Sequence, residues 1–321
     1  MPTRTALRAP KPIEPANSFA AEVIAGLTAD PKRLPPKYFY DLVGSGLFDR
    51  ITRLPEYYPT RSELALLEAH APAMASLVPP GAALIEFGSG SSRKARILLR
   101  AAVGVEAYAP IDISGDFLRE DAVRLRRDFP HLAIHPVVAD FTALTESPTE
   151  IAQKPRVGFF PGSTIGNFEP HEAVAFLQRA ARILGVGSTL LVGVDLVKAS
   201  DVLHRAYNDA EGVTAKFNLN LLMRMNRELG GNFDLAAFEH RAFYNAEQSR
   251  IEMHLASMRR QKVRIGNATI EFRAGETIHT ENSYKYSIGS FQTLARRAGW
   301  SSLAVWTDGL FSIHALRMTA N

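Results

Sequence analysis

The sequence predicts an α/β protein: a mostly parallel sheet with helices on both faces, closed by an antiparallel hairpin and interrupted by an α+β insertion. Three observations carry this. Between Ala82 and Leu196 short apolar runs alternate with amphipathic segments, the pattern of parallel strands joined by crossover helices. After Lys198 that alternation stops and runs of period two appear, the mark of antiparallel strands. The chain then closes on SSLAVWTDGLFSIHALRM, a strand–turn–strand with Asp308-Gly309 at the turn.

The elements follow in order. MPTRTALRAPKPIEPAN, residues 1–17, is proline-rich without an apolar core and predicts a flexible leader rather than a secretory signal. A short helix is expected from Phe19 to Leu27, with Ser18 as its cap and Gly26 near its end. The aromatic segment from Pro35 to Glu63 has a helical middle, with Leu42, Leu47, Phe48 and Ile51 at helical spacing, and then an extended, proline-flanked stretch. Ser62 to Ala75 reads as a helix with Leu64, Leu67 and Ala71 on one side. The strands of the parallel sheet are AALIEFG, EAYAPIDIS, LAIHPVVADF, RVGFFPG and STLLVGVDL. Between them lie the helices SSRKARILLRAAV, GDFLREDAVRLRRDFP and PHEAVAFLQRAARIL, with a helical or looped segment around Ile151. Beyond Lys198 a helical stretch runs to Leu229, followed by antiparallel strands with Gly266-Asn267 as a hairpin turn and then the helix SIGSFQTLARRAGW.

With 321 residues, 46% hydrophobic and 22% charged, the chain can bury a full core in one or two domains. It has no cysteine, which excludes disulfides and thiolate metal sites and fits a reducing, cytoplasmic setting. The net charge of +4 raises the question of nucleic acid. The basic groups Arg93-Lys94-Arg96, Arg124-Arg126-Arg127 and Arg259-Arg260-Lys262 are short and scattered, however, and read as solvated faces. No run approaches the roughly 18 apolar residues of a membrane span. A monomer without nucleic-acid or membrane partners, and without a metal, is expected.

Glu86-Phe87-Gly88-Ser89-Gly90 stands where the first strand hands over to a helix, with Lys94 in that helix's first turn. Glycines there let backbone and helix amides approach a ligand. Arg93 occupies the place of the third glycine of the dinucleotide fingerprint, which suits a smaller nucleoside ligand over a pyrophosphate. Asp112 ends the second strand, where a carboxylate can accept from both ribose hydroxyls, and Asp140-Phe141 ends the third, where an acceptor and an aromatic ring meet adenine. Acidic residues at successive strand ends are hard to explain by packing. The set points to S-adenosylmethionine, with Glu86 as a neighbour of the sulfonium. A closing antiparallel hairpin is what the class I, Rossmann-like methyltransferase fold carries. The fourth strand ends in Gly162-Ser163-Thr164-Ile165-Gly166-Asn167-Phe168, where small residues permit close approach to the transferring methyl and Asn167 can donate to a carboxylate and accept from an amine.

Several strings carry a closer likeness: KYFYDLVGSGLFDRITRLPEYYPTR, GSTIGNF, DLVKASDVLHRAYND, GVTAKFNLNLL and RIEMHL. On these the chain resembles the histidine Nα-methyltransferases of ergothioneine biosynthesis, from about Leu34 to Trp306. The resemblance implies a substrate-binding domain made of residues 18–61 and 198–284, set into an S-adenosylmethionine-dependent methyltransferase domain of residues 62–197 and 285–321. It implies that Asn167 and Tyr207 hold the amino and carboxylate groups of histidine, with Tyr40 near the amine. Tyr57, Glu281 and Ser283 would line the imidazole side, with Met253 against the ring and Gly162 beside the reacting centre. The run Tyr284-Lys285-Tyr286-Ser287-Ile288 departs from the form associated with the actinobacterial enzymes. The implied reaction is in-line attack of a neutral amine on the sulfonium methyl, governed mainly by positioning, with Tyr40 or a water relaying the proton. Three rounds would give the betaine hercynine. Competing readings are a methyltransferase of another amino acid or amine, an RNA methyltransferase, a silent S-adenosylmethionine-binding protein and, last, a dehydrogenase.

Overall fold

The alternating segments of the middle of the chain do form one large sheet, and the period-two segments form a second. The computed structural model describes residues 15–319; the expected leader falls mainly outside them. The first helix, α1, spans Pro15–Thr28, so Ser18 stands inside it rather than at its cap. A two-residue strand β1, Lys32–Arg33, and a 3-10 turn at Pro36–Phe39 lead to α2, Leu42–Ile51. Asp41 caps α2, accepting from the Gly44 amide at 2.7 Å. The next helix, α3, spans Tyr58–Ala75 and begins four residues before the expected Ser62. Pro59 in its first turn marks no extended stretch, because an amide hydrogen has no helical partner there.

Then come β2 (Ala82–Phe87), α4 (Arg93–Ala101), β3 (Val105–Asp112) and α5 (Gly115–Asp128). The expected third strand is two fragments, β4 (Ala133–Ile134) and β5 (Val137–Val138), both on β3. Pro136 lies between them and cannot donate to the ladder. The remaining βα units are β6 (Arg156–Phe160), α6 (Pro170–Leu184) and β7 (Thr189–Asp195). The helical stretch after Lys198 is broken into α7 (Ser200–Tyr207) and α8 (Val213–Leu229). Between them Asp209 accepts from the amides of Val213 and Thr214, each at 2.8 Å, and so starts the second helix.

The insertion continues with β8 (Phe238–Asn245), β9 (Arg250–Ser257), β10 (Gln261–Ile265), β11 (Ala268–Phe272) and β12 (Thr277–Tyr284). The hairpin β10–β11 turns at Gly266-Asn267, with Ile265 opposite Ala268. Finally α9 (Ile288–Arg297) leads to β13 (Trp300–Thr307) and β14 (Phe311–Met318).

The large sheet runs β13-β14-β7-β6-β2-β3-β4, parallel from β7 to β4 and antiparallel where β14 enters beside β7. Alternation sorts its side chains into separate cores. Ala83, Ile85 and Phe87 of β2 face α6 and α9, whereas Ala82 and Leu84 face α3, α4 and α5. The second sheet runs β1-β12-β9-β8. Its core is a third cluster drawn from Phe19 to Tyr58 and from Leu203 to Ile278.

Candidate active site

A cavity of about 560 Å³ lies between the carboxyl ends of the large sheet and the second sheet. Glu86, Gly88, Ser89, Gly90, Lys94, Asp112 and Phe141 line it on one side. Gly88 has φ of +74°, and a Cβ there would stand 3.3 Å from the Phe141 ring, closing the gap between loop and aromatic. The Ser89 hydroxyl is buried without a partner, a donor left for a ligand. Asp112 accepts from the Gly90 amide at 3.1 Å and the Ser114 amide at 2.9 Å, fastening the loop to the end of β3.

Two of the expected cofactor residues are tied to protein partners. Burial pushes the Glu86 carboxyl up to about 8, although the Tyr108 hydroxyl donates to it. Burial thus disfavours its ionised form, and a cation brought beside it would favour that form. Asp140 does not line the cavity. Its carboxylate accepts from the Thr142 amide at 2.9 Å and pairs with Lys37 at 3.4 Å, so it holds a turn and a cross-link to the N-terminal arm.

Lys94 serves as a brace. It pairs at 2.6 Å with Glu63, a buried α3 residue that also accepts the Gly162 amide at 2.8 and 2.9 Å. Gly193 makes room for it, since a Cβ there would stand 2.1 Å from the Glu63 carboxylate.

The same cavity is also lined by Tyr40, Tyr57, Gly162, Asn167, Tyr207, Met253, Glu281 and Ser283, the whole expected substrate set. Gly162 and Asn167 come from the loop after β6, Tyr40 and Tyr57 from the arm, and Tyr207 from the end of α7. Met253 and Glu281 are register partners on β9 and β12, with Ser283 two residues on along the same strand. Burial raises the phenols of Tyr40, Tyr57 and Tyr207 well above their ordinary value, so all three are neutral. Burial pushes Glu281 up to about 7, against the opposing pull of Lys285.

Behind this wall lies a charged network that the sequence reading did not find. Asp195 pairs with Lys198 at 2.6 Å and Lys285 at 2.7 Å, and all three side chains are at most 5% exposed. Tyr58 donates to Asp195 and accepts from Lys198 at 2.7 Å. Asp195 was legible by the rule that selects Asp112, a carboxylate at the end of a parallel strand. Lys285 had no such signal, because a lysine in a polar run is ordinarily solvated.

Outside the cavity, Glu252, His254 and His279 bring ligand-type atoms within 4.8 Å of one another. Glu252 is already held by Arg250 at 2.8 Å, and the two imidazoles stack in parallel at 4.6 Å. The ring nitrogens are engaged as well, His254 Nε2 lying 3.1 Å from the Glu252 carboxylate and His279 Nε2 3.1 Å from the Glu281 carbonyl oxygen. The basic groups are likewise committed, Arg96 to Asp128 and Asp121 and Arg124 to Asp121. Among the described residues no helix is long and apolar enough to cross a membrane.

A parallel sheet with its last strand inserted antiparallel, a glycine loop after the first strand of that sheet and an acid at the end of the next define a class I S-adenosylmethionine-dependent methyltransferase. The sequence profile of the histidine-specific, SAM-dependent methyltransferases matches residues 19–318, and the chain belongs to that family. It is 43% identical over 293 residues to the histidine N-alpha-methyltransferase of Mycobacterium tuberculosis, covering 89% of this chain and 90% of that one. It is 33% identical to ergothioneine biosynthesis protein 1 of Neurospora crassa, covering 89% of this chain but 33% of that longer one. It is also 29% identical to a 4-dimethylallyltryptophan N-methyltransferase of Aspergillus fumigatus, across 95% of both.

Proposed function

We propose that the protein transfers methyl groups from S-adenosylmethionine to the α-amine of L-histidine, three times, to give hercynine. The carrying observation is that Glu281, Ser283 and Met253 line the same cavity as Asn167, with Met253 and Glu281 paired across β9 and β12. An acid and a hydroxyl at that spacing suit an imidazole and reject apolar side chains, which would leave both unpaired.

Residues 18–61 and 198–284 act as the substrate half, and residues 62–197 with the segment from 285 onward act as the cofactor half. The unpartnered Ser89 hydroxyl, the Gly88 cradle and Asp112 fit a nucleoside bearing a polar tail. The sulfonium supplies an electrophilic methyl group. Asn167 and Tyr207 orient the amino acid, and the tyrosine-lined wall keeps bulk water from the amine. The amine loses a proton before each transfer. Tyr40 or a water relays that proton to solvent, the phenol giving up its own hydrogen as it takes the amine's.

The test is mass spectrometry of products after incubation with S-adenosylmethionine and each of the common amino acids in turn. Methylation of histidine alone, ending at the trimethylated product, is expected. A second reading, another amino acid as substrate, draws on the tryptophan-derivative relative at 29% identity. Turnover of an indole amino acid with histidine inert would establish it and overturn the histidine assignment.

A further inference from the structure

The hydroxyls of Ser283 and Tyr207 and the ammonium of Lys285 form a closed triangle. Tyr207 and Ser283 oxygens lie 2.7 Å apart, Lys285 is 2.7 Å from the Ser283 oxygen, and it is 3.2 Å from the Tyr207 oxygen. Lys285 is fully buried and its third contact is Asp195 at 2.7 Å, so each of its hydrogens has a partner. An ammonium only donates. Both hydroxyl oxygens therefore accept from Lys285, and of the two hydroxyl hydrogens one spans the gap between them. The other has no acceptor within the triangle and leaves it towards the cavity, which Ser283 and Tyr207 both line. A phenol is the stronger donor and poorer acceptor, so Tyr207 donates to Ser283 and the outward hydrogen is that of Ser283. Two residues back on the same strand, Glu281 offers carboxylate oxygens and no donor once ionised.

We propose that Lys285 is a specificity-determining positioning residue: by filling the acceptor sites of Ser283 and Tyr207 it forces Ser283 to donate into the cavity. The pocket then takes a ring that presents an N–H to Glu281 and a nitrogen lone pair to Ser283, a neutral azole in one tautomer. A ring with no lone pair, or one protonated on both nitrogens, meets a donor with a donor or with nothing. This inference rests on the histidine reading and assigns the protonation state and tautomer in which that substrate is held.

The substitution Lys285→Met tests it without stranding a charge, because Asp195 keeps Lys198 at 2.6 Å and the Tyr58 hydroxyl at 2.7 Å. Steady-state kinetics are measured for the unaltered enzyme, Lys285→Met, Ser283→Ala and the double variant, with histidine as substrate and with 3-(2-thienyl)alanine, whose ring lacks a nitrogen, as competitive inhibitor. Adenosylhomocysteine affinity, expected within about twofold throughout, reports the fold. Lys285→Met should raise the histidine KM about tenfold, the size of one lost oriented hydrogen bond, with kcat changed less than about threefold. Inhibition by thienylalanine should be unaffected, and in the Ser283→Ala background Lys285→Met should add less than about twofold. An unchanged histidine KM, or a tenfold effect that persists without Ser283, overturns the inference alone. Absence of histidine turnover by the unaltered enzyme overturns the substrate reading with it. Nitrogen NMR of labelled histidine bound with adenosylhomocysteine to the unaltered protein needs no variant. One protonated and one lone-pair ring nitrogen at pH 8 supports the inference, and an imidazolium overturns it.

Discussion

The two sides of the cavity are built from different materials. On the cofactor side the ligand meets main chain and strand ends: the Gly88–Gly90 turn, the Ser89 hydroxyl and an Asp112 carboxylate that accepts from that same turn. Every piece except Glu63 comes from one run of the parallel sheet. On the expected substrate side it is mostly side chains that line the cavity, contributed by the arm, the loop after β6, α7, β9 and β12, with the buried Asp195, Lys198 and Lys285 beside them. A main-chain cradle binds what is common to a whole class of enzymes. Side chains gathered from distant segments can be exchanged one at a time, and they carry the choice of substrate.

The largest test of that contrast is Glu63→Ala, which removes a buried side chain bracing the cofactor half. It leaves Lys94 and the Gly162 amide without their buried acceptor, and urea unfolding should show a loss of about 3 kcal/mol. A loss below about 1 kcal/mol would mean that the main chain holds the loop unaided. Next in size is Asn167→Ala, at the seam. Histidine KM should rise about fiftyfold, as for a hydrogen bond to a charged group, with adenosylhomocysteine Kd by calorimetry within about twofold. Equal loss of both would place Asn167 on the cofactor side and break the division.

The smallest effect is that of Glu281→Gln on stability. Its folded pKa, about 7, lies above the ordinary 4.5. The contribution of the protonated acid to stability is therefore complete below about 4.5 and is lost as pH rises through about 7. Glutamine is neutral throughout. The ligand-free variant should melt roughly 2–4 °C above the parent at pH 8, with the gap closing as pH falls toward 5. Calorimetry across that range checks it, and a variant less stable at pH 8 would mean that Glu281 is held by a partner in the free enzyme.

The same contrast governs what could be read from the sequence. The parallel sheet and the glycine loop were legible because strand, turn and helix are local patterns, and an acid ending an apolar strand stands out against it. The substrate wall had no local signature. Tyr40, Tyr207 and Glu281 are unremarkable residues in their own segments, and only the family resemblance set them together. Where local signals failed, the cause was also physical. Pro136 split a strand that apolar content alone made continuous, and Asp209 ended one helix and capped another inside an unbroken helical pattern. Asp140 stands at the sheet's edge as the rule has it, and its carboxylate also accepts from Thr142 and pairs with Lys37.

The pairing of β1 with β12 sets Lys32 beside Ile278 and Arg33 beside His279. During synthesis, then, the arm that carries Tyr40 and Tyr57 leaves the ribosome with its partner strand still untranslated. Most of the parallel sheet can emerge and pair while those aromatic side chains wait for a surface to cover them. Contacts across so long a stretch of chain form slowly and leave apolar groups open to other chains in the meantime. The pocket that selects the substrate is thus among the last parts of the molecule to come into being, and the part whose assembly most exposes the nascent protein to misfolding.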